Sequence, residues 1–198
     1  MKLFAFLWTK TVLLCIMKGE KRARKDARMG LIFTPDLMLH TYGELTPDYL
    51  LSKGIRAILT DLDNTLAPYE QPEPDQKIRD WIRSMEENGI RVAIVSNNDP
   101  ERVERFNRTL GLPAFPKAGK PKKKAMKAAC RALGVEPRDC CALGDQLLTD
   151  SWAGHRMHML TVIVPPIRDK LTWFFRFKRR LERPFMRKYK KMHPEWNP

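Results

Sequence analysis

The pentad Asp61-Leu62-Asp63-Asn64-Thr65 constrains this chain more than any other stretch. It follows an apolar run (Ile55, Ala57, Ile58, Leu59) that reads as a buried strand. A strand ending in Asp-x-Asp presents two acids at its carboxyl end, where open α/β sheets bind ligands. Two close carboxylates can divide two tasks, attack on phosphorus and retention of a hard cation. Taken alone, the pentad reads more readily as an ordinary turn rich in Asp and Asn after a strand. The rest of the chain decides between the two.

A second buried-strand pattern, Val92-Ala93-Ile94-Val95, ends in Ser96-Asn97-Asn98. Gly119-Lys120-Pro121 then sets a lone lysine at an expected helix start. Cys140-Cys141-Ala142-Leu143 leads into Gly144-Asp145-Gln146-Leu147-Leu148-Thr149-Asp150. Three of these four polar clusters close an apolar strand, and each supplies a part that phosphate chemistry needs. Thr65 to Ser96 is 31 positions and Ser96 to Lys120 is 24. A helix with its connections fills each gap, which leaves no room for a folded lid.

Periodicity outlines the rest. Thr34-Pro35-Asp36 predicts a short helical entry, and Leu45-Thr46-Pro47-Asp48 a helix cap with proline at the first helical position. Ile78, Trp81, Ile82 and Met85 mark a helix over Asp75–Asn88, stopped by Gly89. Asp99-Pro100 predicts a helix through Leu110 that ends at Gly111. Pro121 predicts the start of another, with Met126, Ala129, Cys130 and Leu133 on one face. A strand at Cys140–Leu143, a short helix from Gln146 and a strand at Leu160–Val164 complete the run. Strands alternating with helices imply an α/β fold, a three-layer, Rossmann-like parallel sheet covered on both faces. Adjacent Cys140 and Cys141 on a strand point to opposite faces and read as core. No cysteine or histidine spacing suits zinc, and a reducing compartment is expected.

The formal charge of +14 sits at the ends. Residues 1–29 hold eight Lys/Arg against two acids, and residues 168–191 hold eleven against two. Between them, basic and acidic residues balance at eighteen each. The expected division is an N-terminal basic and apolar extension (1–29), a catalytic body (30–166) and a basic aromatic tail (167–198). The apolar run Leu3 to Met17, broken by Lys10, is shorter than the ~20 residues of a spanning helix. It lacks a small-x-small cleavage site, and a basic block follows it. The expectation for 1–29 is disorder or a start-site artefact, with Met29 as the alternative start.

In the runs Thr60–Leu66, Val95–Asn98 and Gly144–Asp150 the chain resembles the haloacid dehalogenase (HAD) superfamily of phosphatases. The match is closer than the superfamily: these runs look like the YqeG family of small HAD phosphatases, which are similar to mitochondrial phosphatidylglycerophosphatases. The resemblance covers the chain from about Thr34 to the basic tail. It implies a capless HAD fold and an Mg²⁺-dependent phosphomonoester phosphatase acting through an aspartyl-phosphate. On this reading Asp61 is the nucleophile, and Asp63 is the general acid/base. The transporting ATPases of the superfamily carry threonine at the position of Asp63, so a carboxyl there argues for hydrolysis. Asp61, the main-chain carbonyl of Asp63, and Asp145 would hold Mg²⁺. Ser96, Asn97 and Lys120 would bind the phosphate. Asp150 would steady Lys120 or a water on the metal, and Thr65 would brace the loop. Lys117 and Lys122 are candidates for contact with an anionic headgroup, whereas Lys123 and Lys127 read as a solvated face. The histidines are assigned nothing.

The tail interleaves Trp173, Phe174, Phe177, Leu181, Phe185 and Tyr189 with arginines and lysines. Pro184 is expected to interrupt any single helix there. Such composition suits a helix docked on the core, an interfacial membrane segment or an RNA-binding arm. The resemblance, the open site and the tail together suggest phosphatidylglycerophosphate as substrate. The expected setting is the cytoplasm, with peripheral contact at the inner face of an anionic membrane. The alternative is a HAD-like scaffold whose basic ends bind RNA or a ribosome.

Overall fold

The computed structural model describes residues 33–168 and 173–194, the side chains of 173–179 excepted. The expectations for residues 1–29 and for the docking of Trp173, Phe174 and Phe177 lie outside what is described.

Six strands form one sheet: β1 (Leu37–Met38), β2 (Ala57–Thr60), β3 (Arg91–Val95), β4 (Ala114–Phe115), β5 (Cys140–Gly144) and β6 (Leu160–Ile163). Their order is β1-β6-β5-β2-β3-β4, and every pairing is parallel. The helices are α1 (Pro47–Ser52), α2 (Gln76–Glu87), α3 (Pro100–Asn107), α4 (Lys124–Leu133), α5 (Trp152–His155) and α6 (Trp173–Met192). A π-helical turn, Leu147–Ser151, runs straight into α5.

Alternation along the central strands builds the three layers. Ile58, Val92, Ile94, Cys141 and Leu143 face the core completed by Ile78, Trp81, Met85, Val103 and Phe106 of α2 and α3. Ala57, Leu59, Ala93, Val95, Cys140 and Ala142 face the other, beneath Met126, Ala129 and Cys130 of α4. The adjacent cysteines thus enter opposite cores. Each fully buried aliphatic or aromatic side chain contributes about 1.5–3 kcal/mol. Thr46 caps α1 by accepting from Tyr49 N at 3.3 Å, and Asp75 caps α2 by accepting from Ile78 N at 2.9 Å.

Four expectations need correction. Asp36 belongs to no helical entry, because its carboxylate accepts from the N–H and the hydroxyl of Thr161 and draws the chain into edge strand β1. α3 ends at Asn107, whose amide bonds Leu112 N–H and C=O and turns the chain early. α4 begins at Lys124, since residues 120–123 form a turn closed by Lys122 N–H on Gly119 O. α6 runs through Pro184. A proline removes the hydrogen bond to residue i−4. Here Arg180 and Pro184 are both exposed, so the carbonyl left over meets water.

The two-residue strands β1 and β4 were not foreseen, being too short to show a period. α6 docks through Phe185, Met186 and buried Tyr189 on Met38, Leu147 and Ile163. Its Tyr189 hydroxyl accepts from Met38 N at 2.9 Å, and Glu182 Oε1 from Leu148 N at 3.4 Å. No described helix is long and apolar enough to cross a membrane.

Candidate active site

The strand register brings the polar clusters to one rim. Thr60 of β2 is level with Leu143 of β5 and Ile94 of β3. Asp61, Asp145 and Ser96 therefore leave the carboxyl ends of three adjacent strands within a residue or two of one another.

The loop after β2 is a tight turn. The N–H groups of Thr65, Leu66 and Ala67 all point to Leu62 O, and Asn64 N–H donates to Ala67 O at 2.7 Å. Asn64 takes the left-handed conformation (φ 66°) that this turn requires, one that asparagine tolerates better than most residues. Its side-chain oxygen accepts from Arg168 N at 3.3 Å, and its carbonyl from Ile167 N at 3.2 Å. These contacts brace the loop. The Thr65 hydroxyl, expected in that role, is buried without a hydrogen-bond partner.

Asp61, Asp145 and Asp150 are all buried, and one carboxylate oxygen from each lies within 4.8 Å of the others. Lys120 reaches into this group from the turn before α4. Its Nζ is 2.6 Å from Asp150 Oδ1 and 3.0 Å from Asp61 Oδ1. The approach to Asp61 is an ion pair without the alignment of a hydrogen bond, so Oδ1 lacks an aligned donor. Asp150 is held from behind: its Oδ2 accepts from Gln146 N at 3.2 Å and Thr149 Oγ1 at 3.0 Å. The π-helical turn carries Asp150 back over Gly144, where a Cβ would collide with the Asp150 side chain.

The electrostatics of the cluster follow from its charge count. Burial would lower the Lys120 pKa, but Asp150 and Asp61 outweigh it and hold the ammonium above the usual lysine range. Burial, the chief cause, pushes the Asp61 carboxyl up to about 6; Lys120 pulls it back, and Asp150 pushes it further up. Three buried carboxylates face one ammonium, a surplus of negative charge that a low-dielectric interior does not sustain by itself. Hard oxygen donors, excess negative charge and an Asp61 oxygen without an aligned donor together fit a divalent cation such as Mg²⁺.

Ser96 is buried, and its hydroxyl accepts from Asn98 N at 3.1 Å. The side-chain amide of Asn97, an expected phosphate ligand, is occupied with the Lys120 backbone. Oδ1 accepts from Lys120 N at 2.7 Å and Nδ2 donates to Lys120 O at 3.3 Å. Asn97 thus fixes the lysine. Lys117 pairs with Asp99 at 3.4 Å on the exposed surface.

Asp63 stands apart from the buried cluster. Its Oδ1 is 3.1 Å from both Nε and Nη2 of Arg102, and its Oδ2 accepts from Asn98 Nδ2 at 2.7 Å. The sequence by itself assigns no role to Asn98 or Arg102. The available signal was an arginine in the first turn of α3, where the helix dipole disfavours a cation. A groove of about 310 Å³ runs beside Asn98 and Arg102, bordered by Tyr69, Pro72, Asp99 and Arg105.

The family model for haloacid dehalogenase-like hydrolases matches residues 49–158. The probable phosphatase YqeG of Bacillus subtilis (strain 168) is 38% identical over 165 residues, covering 83% of this chain and 96% of that protein. Among solved structures, the chain is similar to a HAD phosphatase from Thermococcus onnurineus (14% identity, 64% of this chain and 98% of that one, TM-score 0.42). It is also similar to the cobalt-bound deoxy-D-mannose-octulosonate 8-phosphate phosphatase of Haemophilus influenzae (19% identity, 70% and 88% coverage, TM-score 0.45).

Proposed function

Since the chain belongs to the haloacid dehalogenase-like hydrolase family, as a phosphatase of the YqeG group, we propose that it hydrolyses a phosphomonoester through an aspartyl-phosphate on Asp61. The observation that carries this reading is the set of three buried carboxylates around Lys120 at the carboxyl ends of adjacent strands.

A carboxylate oxygen of Asp61 attacks phosphorus in line, and the bond from phosphorus to the alcohol oxygen breaks. Asp63 gives its proton to that departing oxygen. Asp63 then takes a proton from water, which attacks the aspartyl-phosphate; the P–O bond to Asp61 breaks, freeing inorganic phosphate and the carboxylate. Lys120 offsets charge on the phosphoryl oxygens and on Asp61. Ser96 and main-chain N–H groups beside it offer hydrogen bonds to the same oxygens. Asp61, Asp145 and the Asp63 carbonyl are the groups that would hold Mg²⁺, which when bound neutralises charge on the transferring phosphoryl group. Asp150, saturated by Lys120, Gln146 and Thr149, serves the lysine.

We further propose a lipid-borne phosphate, phosphatidylglycerophosphate, met at the inner face of a membrane from the cytoplasmic side. Tyr69 and Ile167 are exposed at the rim of the site, joined to it through the Arg168–Glu70 pair and through Asn64. On α6, Arg180, Arg183, Arg187 and Lys191 recur along one exposed face, opposite buried Glu182 and Tyr189. A basic helix face and exposed apolar rim residues each suit an anionic lipid surface. RNA would also meet the basic face, but it has no use for the buried acids.

The test is phosphate release from phosphatidylglycerophosphate in vesicles, and from small soluble phosphoesters, with and without Mg²⁺. The expected result is Mg²⁺-dependent release from the lipid and none by Asp61→Asn. Turnover of soluble esters alone would remove the lipid while keeping the reaction. A salt-sensitive RNA complex without any turnover would overturn both.

A further inference from the structure

We infer that Arg102 is a positioning residue for the reaction, acting through Asp63 by fixing where its carboxyl group points. The inference rests on the proposed reading of Asp63 as general acid/base.

The contacts are specific. Two guanidinium nitrogens meet one oxygen, Asp63 Oδ1, at 3.1 Å each, and Asn98 meets the other. A carboxyl with both oxygens engaged loses the freedom to rotate about its side-chain bonds. Preorganisation of this kind removes reorientation from the proton-transfer step.

Arg102 is itself held firmly. Its Nη2 reaches Pro68 O at 3.4 Å, and the guanidinium lies 5.2 Å from the ring centre of Phe106, a fully buried core residue. The side chains of Arg102 and Asp63 are only 11% and 13% exposed, so water screens their attraction weakly.

Two features set this pair apart from an ion pair kept for stability alone. Arg102 occupies the first turn of α3, where a cation opposes the helix dipole. Its Nη1 is buried with no hydrogen-bond partner, an unfavourable arrangement for a purely structural arginine. Both are explained if the side chain is placed by the needs of Asp63. Arg102 and Asn98, the two residues that hold Asp63, both line the groove bordered by Tyr69 and Pro72.

The test exploits leaving-group chemistry. An alkoxide needs a proton as it departs, whereas p-nitrophenolate leaves without one. We would compare kcat/KM for an alkyl phosphate and for p-nitrophenyl phosphate in the wild type, Arg102→Met, Arg102→Lys, Asp63→Asn and the Arg102→Met/Asp63→Asn double variant. Thermal midpoints would be followed throughout. Arg102→Met should lose roughly ten- to a hundred-fold on the alkyl ester and no more than about three-fold on the aryl ester. Arg102→Lys should recover part of the loss. In the Asp63→Asn background, Arg102→Met should change neither value.

An equal loss on both esters, or a further loss in the Asp63→Asn background, would overturn the inference. Should Arg102→Met fail to fold, Arg102→Lys alone must still show the selective loss on the alkyl ester. If Asp63→Asn itself lost both esters alike, the acid/base role of Asp63 would fall and the inference with it. If Asp63→Asn discriminated and Arg102→Met did not, only Arg102 would be removed.

Discussion

Lys120 Nζ lies 2.6 Å from Asp150 Oδ1, and each side chain is only 3% exposed. The partners are 30 positions apart in sequence and come from separate elements, Lys120 from the turn before α4 and Asp150 from the π-helical turn after β5. An ion pair this dry ties the stability of the rim to its chemistry.

Lys120→Met should therefore do more than slow turnover. Removing one partner of a buried pair leaves an uncompensated charge, at a cost of about 3–5 kcal/mol. Here Asp61 and Asp150 would both be left facing Asp145. Urea denaturation should show the loss. A variant as stable as the wild type would mean that water reaches these acids freely.

Asp61→Asn should abolish phosphate release and yet raise the thermal midpoint of metal-free protein. It removes one member of an over-charged cluster whose burial already pushes that carboxyl up to about 6. A chain of this size gains about 2–4 °C for each kcal/mol. Mg²⁺ should raise the midpoint of the wild type well beyond that of the variant. Equal Mg²⁺ shifts in the two proteins would exclude Asp61 as a ligand.

Gly144→Ala should be damaging although the new methyl group is small. Its Cβ would fall on the Asp150 side chain, which cannot yield without releasing Lys120. Overpacking of this kind costs about 1–3 kcal/mol. Denaturant midpoint and kcat should fall together. Loss of stability with unchanged kcat would separate Asp150 from the chemistry.

His155 adds a pH dependence remote from the acids. Its Nε2 is 3.1 Å from Thr34 O and 3.2 Å from Thr161 Oγ1. A carbonyl only accepts, so Nε2 carries the hydrogen. Burial, the largest cause, lowers the His155 pKa; nearby Asp36 raises it, and His158 lowers it again. The unfolded chain then takes up the proton first. The stability contributed by neutral His155 is complete above the ordinary histidine pKa of about 6.5 and declines as pH falls below it. Thermal midpoints from pH 8 down to pH 5 should fall more steeply for the wild type than for His155→Gln. Parallel curves would show that His155 ionises equally well in both states.

The two kinds of determination divide along the range of the forces involved. Buried runs such as Val92–Val95 and Cys140–Leu143 carry their strand identity in their own composition, and the helical spacing of Ile78, Trp81, Ile82 and Met85 is equally local. The parallel sheet follows, because strands joined through helices can pair in few other ways. The Asp-x-Asp after a strand and the order of the later clusters named the residues that meet at one rim. What sequence could not decide was pairing between groups far apart in the chain. The occupation of Asn97 by Lys120, the idle Thr65 hydroxyl, the grip of Arg102 on Asp63 and the passage of α6 through Pro184 each depend on what lies opposite in space. Local propensity sets which element forms. Burial and charge brought together by the fold decide what each side chain at the rim is free to do.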